Sequence, residues 1–236
     1  LFVLGGGSNL LLTKDVTALV IKIALYGVEK LEENGDDVLL AGGAGEVWHE
    51  FVMKSLDLNC FGLENLSLIP GCVGASPMQN IGAYGVEIKD KFEYLEALNI
   101  ETLEVETFDN KSCEFGYRES VFKRKLKGKY IITKVVFRLS KNSNLNTSYG
   151  AIETELKTQN IANPSPKDVS NAVISIRESK LPNPKEIGNS GSFFKNPVVS
   201  ASELNRIKEQ YPDVVNYKVD DDNFKLAAGW LIEQAG

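Results

Sequence analysis

Histidine is nearly absent from this sequence of 236 residues, which contains a single one, His49, and cysteine is scarce. With one histidine there is no Ser–His–Asp triad to consider, and we predict no metal site. Cys60, Cys72 and Cys113 are widely spaced and include no CxxC pair. The cysteine pattern therefore favours a reduced, cytoplasmic protein.

Long apolar runs and an excess of positive charge are also missing. No run reaches the ~18 residues that a membrane-spanning helix requires, and no signal peptide opens the chain. The net charge of −6 argues against a general polyanion binder. The basic run Lys123–Lys129 precedes a strand pattern and has little aromatic interleaving, which is typical of a solvated hairpin edge. We therefore expect no membrane partner and no nucleic-acid partner.

Apolar, β-branched runs separated by turns dominate the first 140 residues. They predict strands at Leu1–Leu4, Ala18–Ala24, Val38–Ala41, Leu95–Thr107 and Tyr130–Leu139. Helical patterns predict helices at Glu46–Leu56, from Ser165, from Ser200 to a point before Pro212, and at Leu226–Gln234. Because strands and helices do not alternate regularly, the order favours an α+β fold over a doubly wound α/β fold.

The strongest helix signal begins at Ser165. Pro166 suits the first helical position, and Asp168 completes a capping pattern with the serine. One apolar face follows at the spacing i, i+3, i+4, i+7, formed by Val169, Ala172, Val173 and Ile176. Ser200 and Glu203 offer a similar start for a later helix.

Three glycine-rich segments, 5–9, 42–45 and 71–85, lie in the first part of the chain, two of them directly after predicted strands. Glycine permits positive φ and lets backbone N–H groups approach an anion without a Cβ in the way. None of the three matches GxGxxG or GxxxxGK[ST], so neither a Rossmann site nor a P-loop is indicated. Together they favour binding of a dinucleotide through its pyrophosphate.

Longer motifs are more specific. They are LGGGSNLLL (4–12), GAGEVWHEFV (43–52), GLENLSLIPGCVGASPMQNIGAYGVEI (62–88), CEFGYRESVFK (113–123), LPNPKEIGNSGSFFKNPVV (181–199) and AAGWLIEQAG (227–236). In this order the chain resembles the UDP-N-acetylenolpyruvoylglucosamine reductases over essentially its whole length. The pair Tyr149-Gly150 is similar to the tyrosine loop of the type I subgroup.

The resemblance implies a vanillyl-alcohol-oxidase/PCMH-like FAD-binding fold with a C-terminal α+β substrate-binding domain. Residues 1–25 would be a remnant of the N-terminal FAD-binding subdomain, 26–182 the second FAD-binding subdomain, and 183–236 an incomplete substrate-binding domain. Leu1 opens within a strand pattern, and the family's catalytic glutamate would lie beyond Gly236. We therefore expect a chain cut at both ends and hypothesise that, as written, it is crippled or inactive.

The resemblance also implies the reaction. FAD is held noncovalently, NADPH reduces it, and a hydride passes to the double bond of UDP-N-acetylglucosamine enolpyruvate, giving UDP-N-acetylmuramate for peptidoglycan. A monomer is expected. By the same resemblance, FAD would be bound by Gly5, Gly6, Gly7, Ser8, Asn9, Gly71, Gly74, Ala75, Ser76, Gln79, Asn80, Gly82, Ala83 and Tyr84.

Hydride addition leaves an anionic enol beside the substrate carboxylate, so the reaction needs a cation there and a proton donor at the adjacent carbon. The resemblance assigns these roles to Arg118 and Ser192. A guanidinium suits the first role because it is permanently charged and can fork onto a carboxylate. The expected substrate contacts are Tyr117, Tyr149, Lys180, Asn196 and Gln234.

Other interpretations remain open on sequence alone. Without their motifs, Arg118 would be read as a surface ion pair and Ser192 as a turn serine. Another flavoenzyme of the same fold, such as an oxidase of small alcohols, would also explain the glycine segments. So would a non-catalytic module that binds a flavin or a nucleotide sugar.

Overall fold

The computed structural model describes residues 1–192 and 194–236, which form two compact units, Leu1–Ser190 and Gly191–Gly236. The strands of the first unit are β1 (Phe2–Leu4), β2 (Val20–Lys22), β3 (Val28–Asn34), β4 (Asp37–Gly43), β5 (Gly82–Ala83), β6 (Val86–Glu87), β7 (Phe92–Asn99), β8 (Val105–Asp109) and β9 (Tyr130–Ser140). Its helices are α1 (Trp48–Asp57), α2 (Gly150–Thr158) and α3 (Pro166–Lys180).

An antiparallel five-stranded sheet in the order β3-β4-β9-β7-β8 is the centre of the first unit. Alternate residues of a strand face the same side, and Leu40 on β4 points into the core with 0% of its surface exposed. Helix α1 covers this face, with the Phe51 ring 5.5 Å and the Trp48 ring 5.7 Å from the ring of Phe137. This packing holds the first turn of α1, which begins at Trp48, close to segment 42–45.

Two smaller substructures adjoin this sheet in the first unit. Strands β1 and β2 form a parallel pair with Phe2 opposite Val20, and the first glycine segment follows β1. Helices α2 and α3 pack together through an apolar cluster of Ile152, Leu156, Val169, Ala172, Val173 and Ile176. A 2.7 Å hydrogen bond between the hydroxyls of Ser67 and Ser170 attaches α3 to the sheet-bearing part.

The second unit consists of β10 (Val198–Ser200), α4 (Ala201–Gln210), β11 (Asn216–Lys218), β12 (Asn223–Leu226) and α5 (Ala228–Ala235). Its three strands are antiparallel in the order β10-β12-β11. Leu204, Val214 and Leu226 are buried at its centre. The unit therefore has a small apolar core of its own.

The helix starts predicted from capping residues are confirmed. Ser165 Oγ accepts the Asp168 N–H while the Asp168 carboxylate accepts the Ser165 N–H, which completes a capping box. Ser200 Oγ likewise accepts the Glu203 N–H at the start of α4. Among the described residues, no helix is long and apolar enough to cross a membrane.

Two predictions about strands were wrong. The single strand predicted at Leu95–Thr107 is divided between β7 and β8, because a turn intervenes in which Asn99 Oδ1 accepts the N–H groups of Glu101 and Thr102. The segment 42–45 was predicted to be a loop, yet Gly42 and Gly43 still pair with β9 as the last residues of β4. Strand β3, helix α2 and the strands of the second unit were not predicted.

Candidate functional site

The first and third glycine segments touch each other. A Cβ added to Gly6 would lie 3.4 Å from the Gly71 Cα and 3.5 Å from the Cys72 Sγ. A Cβ added to Gly71, whose φ is +112°, would lie 3.1 Å from the Ser8 Oγ. Gly71 therefore depends on the absence of a side chain, whereas the distances at Gly6 are ordinary van der Waals contacts between the two segments.

The second and third segments are joined by backbone hydrogen bonds. The Gly74 N–H donates to the Ala44 carbonyl at 3.0 Å, and the Val73 N–H donates to the Glu46 carbonyl at 2.8 Å. A Cβ on Gly74 would lie 2.5 Å from the Ala44 Cβ, closer than two such atoms can approach. The three glycine segments therefore lie side by side, with the third between the first and the second.

The expected cofactor-binding residues divide by exposure. Gly6, Gly7 and Asn9 are exposed, as is Ala75 in the third segment. Ser76 is buried, and its hydroxyl donates to the Val73 carbonyl at 2.7 Å. Gly6 and Gly7 present exposed backbone without a Cβ, which fits a cofactor with a pyrophosphate.

Arg118 lies against the third glycine segment. It occupies a two-residue turn with Tyr117, closed by backbone hydrogen bonds of 3.0 and 3.2 Å between Gly116 and Glu119. Its guanidinium donates from Nη1 to the Asn80 carbonyl at 3.3 Å and from Nη2 to the Gly82 carbonyl at 2.5 Å. A permanent positive charge is therefore placed at the edge of the glycine segment.

Tyr84 and Tyr149 meet edge to face, with ring centroids 5.4 Å apart. Burial raises the pKa of the Tyr84 hydroxyl, which hydrogen bonds to Arg177 of α3. Arg177 donates from Nε to the Leu68 carbonyl at 3.1 Å, and burial lowers the pKa of its guanidinium. Sequence reasoning missed Arg177, although its place directly after Ile176 on the apolar face of α3 could have indicated a partly buried cation.

The sole histidine has a structural contact. His49 lies in α1, and its Nδ1 accepts the Leu68 N–H at 3.0 Å. Burial lowers the pKa of its imidazole, since desolvation disfavours the charged form. Among residues 1–192 and 194–236 there is no group of three or more His, Cys, Asp or Glu side chains placed to hold a metal ion.

The remaining expected residues lie elsewhere. Lys180 is exposed at the last position of α3 in the first unit. In the second unit, Ser192 is exposed outside the strands and helices, and Gln234 is exposed on α5. Asn196 Oδ1 accepts the Ala228 N–H at 3.0 Å at the start of α5, so its side chain caps that helix. The first unit thus brings Arg118, Tyr84 and Tyr149 to the glycine segments.

Comparisons with known proteins identify the domain type and the fold. A family model described as an FAD binding domain matches residues 1–106, which include all three glycine segments. A solved UDP-N-acetylenolpyruvylglucosamine reductase from Thermus caldophilus has a similar fold, with a TM-score of 0.55 and 20% identity over 99% of this chain and 78% of that one. The expected α+β, FAD-binding fold is confirmed.

Curated relatives are much closer in sequence. The UDP-N-acetylenolpyruvoylglucosamine reductase of Flavobacterium johnsoniae is 57% identical over 236 residues, covering 100% of this chain and 70% of the relative. That of Chromobacterium violaceum is 52% identical over 234 residues, covering 99% and 69%. The glycine segments, the matched domain and these relatives define an FAD-dependent oxidoreductase. The chain belongs to the UDP-N-acetylenolpyruvoylglucosamine reductase family.

Proposed function

We propose that this protein, with noncovalently bound FAD and NADPH as reductant, reduces UDP-N-acetylglucosamine enolpyruvate to UDP-N-acetylmuramate for peptidoglycan synthesis. The observation that carries the proposal is the contact between the Arg118 guanidinium and the third glycine segment. It puts a cation beside the backbone that suits the cofactor. Bound FAD supplies the hydride chemistry that amino-acid side chains lack.

The glycine segments hold the cofactor in this proposal. The exposed backbone of Gly6 and Gly7 approaches the pyrophosphate, and Ser8 and Asn9 add side-chain donors. Gly71, Gly74, Ala75, Gln79, Gly82, Ala83 and Tyr84 contribute from the third segment. Noncovalent binding is favoured because His49 lies in α1 with one ring nitrogen already hydrogen-bonded to Leu68.

Arg118 binds the substrate carboxylate and stabilises the negative charge that develops beside it. A guanidinium has five N–H donors, and two carbonyls occupy only part of this set. The remaining donors can form charge-assisted hydrogen bonds, which are stronger than neutral ones. A cation fixed before the reaction begins needs no reorganisation as charge develops.

Ser192 donates the proton at the carbon next to the carboxylate. A serine hydroxyl is a weak acid, so its effectiveness depends on the basicity of the carbanion that it protonates. Tyr117, Tyr149, Lys180, Asn196 and Gln234 bind the diphosphate and sugar. We retain 1–25 and 26–182 as FAD-binding subdomains and 183–236 as the substrate-binding domain.

Absorption spectroscopy of the purified protein is the first test. We expect a flavin band near ~450 nm that is released on heat or acid denaturation, as for a noncovalent cofactor. In the full-length protein, addition of UDP-N-acetylglucosamine enolpyruvate should then stimulate NADPH consumption. A folded protein that stays colourless after FAD is supplied would contradict the proposal. Flavin that NADPH reduces but the enolpyruvyl substrate does not reoxidise would instead favour another flavoenzyme of this fold.

Substitutions in the full-length protein test the two residue roles separately. Arg118→Ala should lower kcat by about 10²–10³-fold, as removal of an oxyanion-stabilising donor does. Ser192→Ala should lower kcat by about 10²–10⁴-fold, the range for loss of a general acid. Both variants should keep the flavin band. Unchanged turnover in either variant would remove that residue from the reaction.

A further inference from the structure

Asn80 is a fully buried residue whose side chain joins separate segments of the first unit. Its relative exposure is 0%. Its Nδ2 donates to the Glu87 carboxylate at 3.0 Å and to the Gly116 carbonyl at 3.1 Å, while its Oδ1 accepts the Lys89 N–H at 3.1 Å. The side chain is thus fully engaged inside the protein, with both Nδ2 protons donated.

The orientation of the Asn80 amide is fixed by these partners. A carboxylate accepts hydrogen bonds, and a backbone N–H only donates them, so the amide has one favourable orientation between Glu87 and Lys89. The Glu87 carboxylate also pairs with the Lys89 ammonium at 2.9 Å. One Nδ2 proton is therefore always directed at Gly116.

Gly116 is the base of the turn that carries Arg118. Its carbonyl accepts both the Asn80 amide and the Glu119 N–H that closes the turn. Arg118 has a φ of +54° within this turn. A left-handed conformation costs about 1–2 kcal/mol for a residue with a Cβ, so neighbouring contacts must maintain it.

The other end of Arg118 is held by the same asparagine. The backbone carbonyl of Asn80 accepts a hydrogen bond from Nη1 of the guanidinium, and the backbone carbonyl of Gly82 accepts one from Nη2. Asn80 itself has a φ of +45°, a conformation that asparagine adopts more readily than most residues. One residue therefore contacts both the turn beneath Arg118 and the tip of its side chain.

We infer that Asn80 is a positioning residue for Arg118, setting both the backbone turn and the direction of the guanidinium, and that its side chain does not contact FAD. The inference depends on the proposed role of Arg118 at the substrate carboxylate. It changes the expectation from sequence, in which Asn80 was grouped with the cofactor contacts. Because the Asn80 side chain is buried, its hydrogen bonds lie on the side of the glycine segment that faces the protein interior.

The test uses Asn80→Gly in the full-length, FAD-loaded protein, because glycine tolerates the positive φ while removing the three side-chain bonds. Asn59→Gly is the matched control, since Asn59 has a φ of +56° and is exposed. We expect Asn80→Gly to retain FAD, to weaken substrate binding measured by calorimetry about tenfold and to lower turnover per bound flavin. The control should change neither quantity.

A double-mutant cycle with Arg118→Ala separates positioning from general damage to the fold. If Asn80 acts through Arg118, the double variant should bind substrate and turn over no worse than Arg118→Ala alone. Additive losses would overturn the inference. So would an Asn80→Gly protein that loses FAD while turnover per bound flavin stays normal, because the side chain would then serve the cofactor.

A milder variant covers the case in which Asn80→Gly does not fold. Glu87→Gln weakens the acceptor that orients the Asn80 amide, and its effect on substrate binding should likewise disappear in an Arg118→Ala background. Persistence of that effect would overturn the inference. Failure of the proposed function has a different signature, because Arg118→Ala itself would then leave substrate binding and turnover unchanged.

Discussion

At the residue scale, the candidate site contains three non-glycine residues with a positive φ. Among the described residues other than glycine, eight have a positive φ, and Asn80, Tyr84 and Arg118 are three of them. Each costs free energy that surrounding contacts must offset, and such conformations cluster where side chains must be aimed. The strain here coincides with the segment that presents Arg118.

A fourth residue with this conformation, Leu103, serves as a test of backbone strain away from the site. Its φ is +61° and its side chain is 73% exposed in the turn between β7 and β8. Leu103→Asn should raise the free energy of unfolding by up to about 1 kcal/mol, because asparagine tolerates this conformation better. Urea unfolding would measure the change. Leu19→Asn is the control, since Leu19 is 72% exposed without a positive φ.

The reactivity of a cysteine thiol also depends on the surroundings of the individual residue. Burial raises the pKa of the Cys113 thiol to about 12, so almost no thiolate is present near neutral pH. Cys113 should therefore resist iodoacetamide at pH 8 in the native protein and react in urea. Peptide mass spectrometry would measure both. Rapid labelling of the native protein would show that this core opens readily.

At the scale of the structural elements, the close contact between the second and third glycine segments depends on glycine. Gly74→Ala should lower the free energy of unfolding by about 1–3 kcal/mol, as overpacking does, and weaken FAD binding, because the new methyl group collides with Ala44. Gly150→Ala is the matched control, since no atom lies within 4 Å of its added Cβ. Denaturant unfolding and flavin titration would measure both effects. Normal FAD affinity in Gly74→Ala would contradict a role for this contact in the cofactor site.

Capping decides the start of α3. Ser165→Ala should cost about 1 kcal/mol of unfolding free energy, measured in urea, because the Asp168 N–H loses its acceptor. Ser179→Ala, at the other end of α3, should cost less. The hydrogen bonds from Ser165 lower the pKa of Asp168. This contribution is therefore present above the ordinary aspartate pKa and is lost as pH falls through the lowered value, so the variant should differ least in acid.

How well each element could be predicted depended on how local its signals are. The capping box of α3 lies within four consecutive residues, and it was found from sequence. Strand β3 was missed because six of its seven residues are exposed, so it lacks an apolar alternation. The separation of β7 from β8 depends on side-chain hydrogen bonds from Asn99, which no apolar pattern reveals.

At the scale of the whole molecule, each compact unit contains one tryptophan whose fluorescence reports its unfolding. The sequence has two tryptophans, Trp48 in the first unit and Trp230 in the second. If FAD binds the glycine segments of the first unit as we propose, free FAD at about 100 times its Kd should stabilise that unit by about 2.7 kcal/mol. The fluorescence transition of a Trp230→Phe variant, which reports Trp48, should shift accordingly. No shift with flavin bound would place the cofactor elsewhere.

The sequence by itself determined the family, the α+β class, the capped helix starts and the types of residue available for cofactor and carboxylate. These depend on local chemistry and on long motifs that are written directly in the chain. Only the tertiary structure decided that the three glycine segments adjoin, that Arg177 reaches Tyr84, and that Asn80 contacts both ends of Arg118. Such contacts join residues far apart in sequence, so their distances are fixed by packing and by the hydrogen bonds that buried polar groups require.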